Sequence, residues 1–287
     1  MKVLVLGGGQ IARAVCSAAR GQHEVVTRAH RELDIVDEAA VSRTVSEAKA
    51  DWVVNAAAFT AVDLAEDQPA LAHAVNDTAV GSLARTCVRE GCRLLQLSTD
   101  FVFDGHSGRA YLPTDEPQPL SIYGASKLGG ERHVLGAGGS GIVLRTSWVY
   151  ASAGKNFVLA MLRLMREKDH VSVVCDQIGA PTWAASTAAA IWGLIESEAT
   201  GGIYHWTDLG VASWYDFAVA IQEEALARGL LSQAIPVTPV PSASYPTRAR
   251  RPAFSALDTA ATRASIGVPA QHWRHNLRAM LDELRAP

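Results

Sequence analysis

A short apolar run, Val3 to Leu6, meets three consecutive glycines, Gly7-Gly8-Gly9. Beyond them Ile11, Ala14, Val15 and Ala18 recur at helical spacing over Gln10 to Arg20. A buried strand that enters a helix through a glycine turn narrows the fold more than any other feature of this chain. The segment Gly7-Gly8-Gly9-Gln10-Ile11-Ala12 fits G-x-G-x-x-G/A. The first glycine permits the tight turn, the second lets backbone approach a pyrophosphate, and a small third residue lets helix and strand pack closely. An anion then sits on the free N–H groups at the helix start. Glycines also suit an ordinary turn between strand and helix, but directly after an N-terminal buried strand they favour nucleotide binding.

The rest of the N-terminal half repeats the rhythm. Strands are expected at Glu24–Thr27, Trp52–Asn55, Arg93–Ser98 and Gly141–Arg145. Helices are expected at Glu38–Ala48, Pro69–Glu90 and Ser121–Leu135. Such alternation implies right-handed crossovers, a parallel sheet with helices on both faces, and a ligand crevice at the carboxyl ends of the strands. The expected class is therefore α/β, a Rossmann-type doubly wound sheet, with a smaller loop-rich C-terminal substrate domain. After Tyr150 two helices stay clear, Asn156–Glu167 and Ala184–Glu198, but Ile235–Pro252 carries five prolines. Prolines exclude a helix interior or a central strand there. The division expected is 1–150 with about 171–203 for the dinucleotide, and about 151–170 with 204–287 for the substrate.

Composition removes other classes. With 48% hydrophobic and 19% charged residues the chain can bury a large core and is not a disordered one. A formal charge of −3 gives no footprint for nucleic acid or an anionic membrane. No apolar run is long enough to span a bilayer, and the N-terminal run is too short for a signal-peptide core. Cys16, Cys87, Cys92 and Cys175 form no CxxC pair, which fits reduced thiols in a cytoplasmic protein. His272 and His275 have no acidic or sulfur partner nearby in sequence, and no metal is expected.

The cofactor's identity turns on the end of the second strand, Val26-Thr27-Arg28, with Arg31 beyond it. A carboxylate there favours a free 2′-hydroxyl and an arginine a 2′-phosphate. Arg28 therefore leans towards NADPH, with NADH the alternative; both arginines are equally readable as solvated charges. Asp34-Ile35 is placed to meet the adenine edge. Ala56, Ala57 and Ala58 follow Asn55 and leave room for a cofactor, or simply open a helix.

Tyr123-Gly-Ala-Ser-Lys127 carries the chemistry. At i, i+4 on a helix the phenol and the ammonium share a face. A nearby cation brings a phenol closer to working range as a proton donor and acceptor. The spacing alone is common on helix surfaces; the order of glycine loop, alternating sheet and YxxxK gives it meaning. Upstream, Thr99 leaves the fourth strand at its carboxyl end, where a hydroxyl can bond a substrate carbonyl or cap a turn.

Taken together these stretches resemble the dTDP-4-dehydrorhamnose reductases, within the extended short-chain dehydrogenases/reductases. The matching segments are Gly9-Gln10-Ile11, Glu32–Ile35, Asn55–Asp63, Ser98–Gly105, and Tyr123–Leu128 with Glu131. They continue through Arg145–Tyr150, Asn156-Phe157, Asp176–Thr182, Ser213–Tyr215, Tyr245–Thr247, Arg251-Pro252, Ser255 and Leu257-Asp258. The resemblance implies hydride transfer from NADPH or NADH to the C4 ketone of a dTDP-4-keto-6-deoxyhexose. Tyr123 would protonate the alkoxide, Lys127 would lower the tyrosine pKa and hold the nicotinamide ribose, and Thr99 would orient the ketone. Asn76 would brace the active-site helix or a proton-relay water. Trp148 would face the sugar, with Val102, Asn156, Gln177, Thr182 and Arg251 holding the nucleotide–sugar. A dTDP-sugar partner follows, and a homodimer is compatible with it.

The chain departs from the family pattern in a shorter glycine loop ending at Ala12, and in Phe59, Phe101 and Leu64. Arg13-Ala14 offers no acidic residue for the metal-bridged dimer of some members, and Arg248 and Arg250 add charge that would suit another nucleotide–sugar. Two further functions stay open: a related 4-ketoreductase, and a non-catalytic NADP-binding regulatory subunit like that of methionine adenosyltransferase. The intact Thr99, Tyr123 and Lys127 favour chemistry. An epimerase or dehydratase ranks last, because Asp100 stands alone after Thr99.

Overall fold

A computed structural model of the chain describes residues 1–19, 21 and 23–285. Its centre is a parallel sheet built from β1 (Lys2–Leu6), β2 (Glu24–Arg28), β3 (Trp52–Asn55), β4 (Arg93–Thr99), β5 (Ile142–Thr146) and the strand Gly202–His205. From one edge the order is Gly202–His205, β5, β4, β3, β1, β2. Every neighbouring pair runs parallel. The chain lays β2 on one side of β1 and β3 on the other, so the order reverses at β1. A crevice opens there between the carboxyl ends of the strands, where an open α/β sheet takes its ligand.

Alternation along each strand supplies two cores. Val3, Val5, Trp52, Val54, Leu95 and Leu97 face α1 (Gln10–Ser17) and α8 (Ala184–Glu196). Leu4, Leu6, Val53, Leu94 and Val143 face α2 (Glu38–Ala48) and α5 (Ala79–Glu90). A third core, with Phe217, Ile221, Leu277 and Met280, joins α7 (Phe157–Glu167), α9 (Trp214–Ala227) and α11 (Trp273–Glu283).

Several expected bounds shift. The first helix ends at Ser17, and Arg20 lies outside the described residues. The long helix expected over Pro69–Glu90 is α4 (Pro69–His73), a π-helical turn at Ala74–Thr78, and α5. Single π turns of this kind concentrate at functional sites. Helix α8 stops at Glu196, and Glu198 takes a positive φ of 51°. The boundary drawn at residue 204 cuts through a strand of the main sheet, because Tyr204 and His205 pair with Leu144 and Arg145. Within the proline-rich segment, Val237–Val240 does form a strand. It pairs only with Val171–Val174, an edge position in which Pro239 leaves no central ladder bond unmade.

No helix among the described residues is long and apolar enough to cross a membrane. The four cysteines are free.

Candidate active site

Gly7 stands at the mouth of the crevice with φ +114°, and its N–H donates to the Arg28 carbonyl at 2.8 Å. A Cβ added there would lie 2.9 Å from the Ala56 backbone, so the loop is pressed onto the end of β3 as only glycine allows. At Gly9 a Cβ would meet nothing within 4 Å, which leaves that side of the loop open. Gly9 caps α1 without a side-chain bond, and the first turn holds no acidic residue. The leading N–H groups of Gln10 and Ile11 therefore face an approaching anion uncontested. Ala12 is buried against the sheet, as the close-packing position requires. The loop thus fits a dinucleotide pyrophosphate despite its shortness.

Around it, Asn55 accepts from the Ala57 N–H at 3.1 Å and donates to Gln96 at 2.7 Å, which fixes the Ala56–Ala58 turn. Arg28 is exposed at the end of β2, its guanidinium resting on the Thr27 carbonyl. Asp34 is exposed and turns the chain by accepting from Val36, whereas Ile35 packs into the core.

The catalytic candidates converge at the neighbouring strand ends. Ser121 caps α6 (Ile122–Gly136) by accepting from Gly124. Gly124 is required there: a Cβ would sit 2.2 Å from the Phe101 carbonyl oxygen. Tyr123 is buried, with the Phe101 ring edge-on at 5.7 Å. Burial pushes its phenol up to about 12, against the pull of the Thr99 hydroxyl beside it. Thr99 Oγ1 donates to Asp100 at 3.0 Å and accepts from the Phe101 N–H at 3.2 Å. Burial raises Asp100 to about 6, and its Oδ2 has no partner. Lys127 Nζ donates to the Leu97 carbonyl at 2.6 Å, and burial lowers it to about 8 while Glu131 acts in the opposite direction. The pull of Lys127 on the Tyr123 phenol is not the leading influence in this arrangement. Its ammonium is turned to Leu97, and desolvation of the phenol dominates.

Asn76 belongs to the π turn. It accepts from Phe59 N–H at 2.9 Å and donates to Phe59 O and Ser126 Oγ, at 3.0 and 3.1 Å. It therefore pins the loop after β3 to the helix that carries Tyr123.

The residues expected around a nucleotide–sugar are more scattered. Trp148 adopts φ +46°, lies parallel to Trp214 at 3.5 Å, and packs where a Cβ on Gly179 would reach within 2.6 Å of its ring. Trp214 gave no sign of this partnership in sequence. Val102 is wholly buried with Phe103, Tyr111, Leu128 and Leu257, which makes its side chain core rather than lining. Thr182 is likewise fully buried and donates its hydroxyl to the Ala180 carbonyl. Asn156 caps α7 and donates to Gln10 at 2.9 Å, which ties the glycine loop to the C-terminal unit. Gln177 is half-buried at the junction where Ile178 bonds to Ala253. Arg251 is paired with Asp63 at 2.7 Å, on α3 (Val62–Asp67), and Arg248 with Asp67 on the same helix. No group of three His, Cys, Asp or Glu among the described residues could hold a metal ion.

Known proteins share this arrangement over the whole chain. The family described as RmlD substrate binding domain matches residues 1–286. The dTDP-4-dehydrorhamnose reductase of Burkholderia thailandensis is 42% identical over 286 residues, covering 96% of each chain. A crystal structure of a dTDP-4-dehydrorhamnose reductase from Clostridium acetobutylicum superposes with a TM-score of 0.93 at 34% identity, over 100% of both chains. That of the Bacillus anthracis reductase, in complex with NADP, gives 0.93 at 31%, over 98% of this chain and 99% of the other. With its glycine loop, parallel sheet and Tyr123–Lys127 helix in place, the chain belongs to the dTDP-4-dehydrorhamnose reductase family.

Proposed function

We propose that this protein uses NADPH to reduce the C4 ketone of dTDP-4-dehydro-L-rhamnose, giving dTDP-L-rhamnose. The observation that carries the reading is the burial of Thr99, Tyr123 and Lys127 at the carboxyl end of β4, in a sheet whose first strand enters the glycine loop and in a chain matched end to end by reductases of that substrate. The dinucleotide, held by Gly7, Gly9, Gln10 and Ile11 and along Ala56–Ala58, supplies a hydride. Thr99 orients the ketone oxygen towards the phenol. Tyr123 Oη gives its proton to that oxygen as negative charge develops there. A phenol raised to about 12 keeps its proton at neutral pH, and an alkoxide is the stronger base, so the transfer runs downhill. Lys127, swung from the Leu97 carbonyl, stabilises the phenolate that remains. The sugar lies between the sheet's crevice and the unit formed by 151–170 and 206–287, with Trp148 and Gln177 nearest. Arg251 meets the diphosphate as a planar, permanently charged donor.

The test is oxidation of NADPH by the purified protein, followed through the reduced nicotinamide's absorbance. Sugar-dependent oxidation with dTDP-4-dehydro-L-rhamnose, and dTDP-L-rhamnose as product, is the expected result. Cofactor binding without turnover of this sugar overturns the assignment. In the same assay Arg28→Asp is expected to raise KM for NADPH roughly tenfold, the worth of one charge-assisted hydrogen bond, and to leave NADH nearly unaffected. Equal losses with both cofactors remove Arg28 from the 2′-phosphate site.

A further inference from the structure

Behind Tyr123 and Lys127 lies a buried polar chain that the proposed reaction does not use directly. Glu131 follows Lys127 by one helical turn on α6, and its side chain is 1% exposed. Its Oε1 accepts from Ser98 Oγ and from Arg145 Nε, the latter at 2.9 Å, and its Oε2 accepts from Arg145 Nη2 at 2.6 Å. The third nitrogen, Arg145 Nη1, lies 3.4 Å from His205 Nε2. His205 Nδ1 is 3.0 Å from the Tyr111 carbonyl, which can only accept, so Nδ1 carries the proton and Nε2 receives from Arg145. Both carboxylate oxygens and the whole guanidinium fork are thereby occupied.

The location matters more than the completeness. Ser98 stands between Leu97, whose carbonyl receives Lys127 Nζ, and Thr99. One carboxylate therefore grips the β4 residue that lies between the two catalytic partners. We infer that Glu131 is a positioning residue for the proposed proton transfer: clamped by Ser98 and Arg145, its carboxylate docks the Lys127 turn of α6 on β4 and favours the charged ammonium there. The inference rests on the reductase reading for its kinetic arm alone.

Other charges face this helix. Tyr123 precedes Lys127 by one turn, Asp100 lies beyond β4, and Arg145 and His205 close the chain from β5 and Gly202–His205. On its other side Glu66 of α3 accepts from the Ile122 N–H, and Asp77 of the π turn sits between His73 and His133. Glu131 is the anion nearest Lys127 along its own face of the helix, and burial without it works against the ammonium.

The experiment follows the Cε carbon of Lys127 by NMR in the 13C-lysine-labelled full chain. The spectrum holds five lysines, and a Lys127→Met sample identifies the resonance. Glu131→Gln keeps the shape and one acceptor oxygen, removes the charge and turns an amide donor toward the Ser98–Arg145 donors; it is expected to lower the Lys127 titration midpoint by about one pH unit. In turnover assays the alkaline fall in kcat/KM moves by the same amount, while KM for NADPH changes little. Glu131→Asp retains the charge that Arg145 requires and withdraws it by one methylene. It gives a smaller shift in the same direction and serves if Glu131→Gln does not fold. An unmoved Lys127 midpoint in whichever variant folds overturns the inference, as does a loss of activity equal at every pH. A shifted midpoint in a protein that turns over no sugar sustains this inference and sinks the reductase reading instead.

Discussion

Tyr123→Phe is expected to slow ketone reduction by roughly a thousandfold, the scale of a positioned general acid. The substitution removes one oxygen and keeps the ring, so the edge-on contact with Phe101 and the packing with Ala65 and Ala72 survive. Dinucleotide binding, measured by calorimetry, should stay within a few-fold of the parent because the glycine loop is untouched. Thr99, Lys127 and Asp100 remain in place, yet none replaces the lost donor. A threonine hydroxyl is no stronger an acid than the alcohol being formed, and Lys127 stands a full helical turn from position 123. A loss below about tenfold would mean that another group delivers the proton, and water would be the first candidate.

The largest effect on stability belongs to Arg145→Ala. Its side chain and that of Glu131 are each 1% exposed, and their pairing is bidentate. Removing the guanidinium strands a carboxylate in the interior with only the Ser98 hydroxyl as donor. Breaking a buried pair in this way costs about 3–5 kcal/mol. In the parent His205 is held neutral, down to about 3, by burial first and by the Arg145 charge second, and the burial persists in the variant. The midpoint of urea unfolding reads the change, with the slope preserved if the denatured state is unaltered. By contrast Arg85→Ala, which breaks a pair with Glu38 whose partners are 62% and 69% exposed, should cost under about 1 kcal/mol. Comparable losses from the two variants would contradict the burial argument.

Local features were legible in the sequence because their causes are local. A strand that alternates on both faces, a glycine turn that needs φ +114° at Gly7, and Ser121 before the Tyr123 helix each state their geometry within a few residues. Thr99 and Tyr123 were legible as candidates because each sits where an element begins or ends. What escaped depends on distant chain meeting in space. Nothing near Trp148 announces Trp214, and nothing near Glu131 announces Arg145 on another element. The π turn at Ala74–Thr78 has no signature in a helical pattern that reads as continuous from Pro69 to Glu90. Val102 and Thr182 are likewise set by distant chain: both side chains are fully buried, and Thr182 gives its hydroxyl to the Ala180 carbonyl.

The sheet also sets an order in time. Strands β1 to β5 are complete once residue 146 has been made, but the partner of β5 on its outer side, Gly202–His205, comes more than fifty residues later. A nascent chain made from its N-terminus therefore holds a bare β5 edge, with Ile142 to Thr146 offering unpaired backbone groups, until that strand emerges. The intervening α7 and α8 must also be synthesised first, so the final strand arrives with the helix that covers one face of the sheet already behind it. Until that strand joins, β5 is the edge of the sheet, and an exposed edge of this kind invites pairing with another chain.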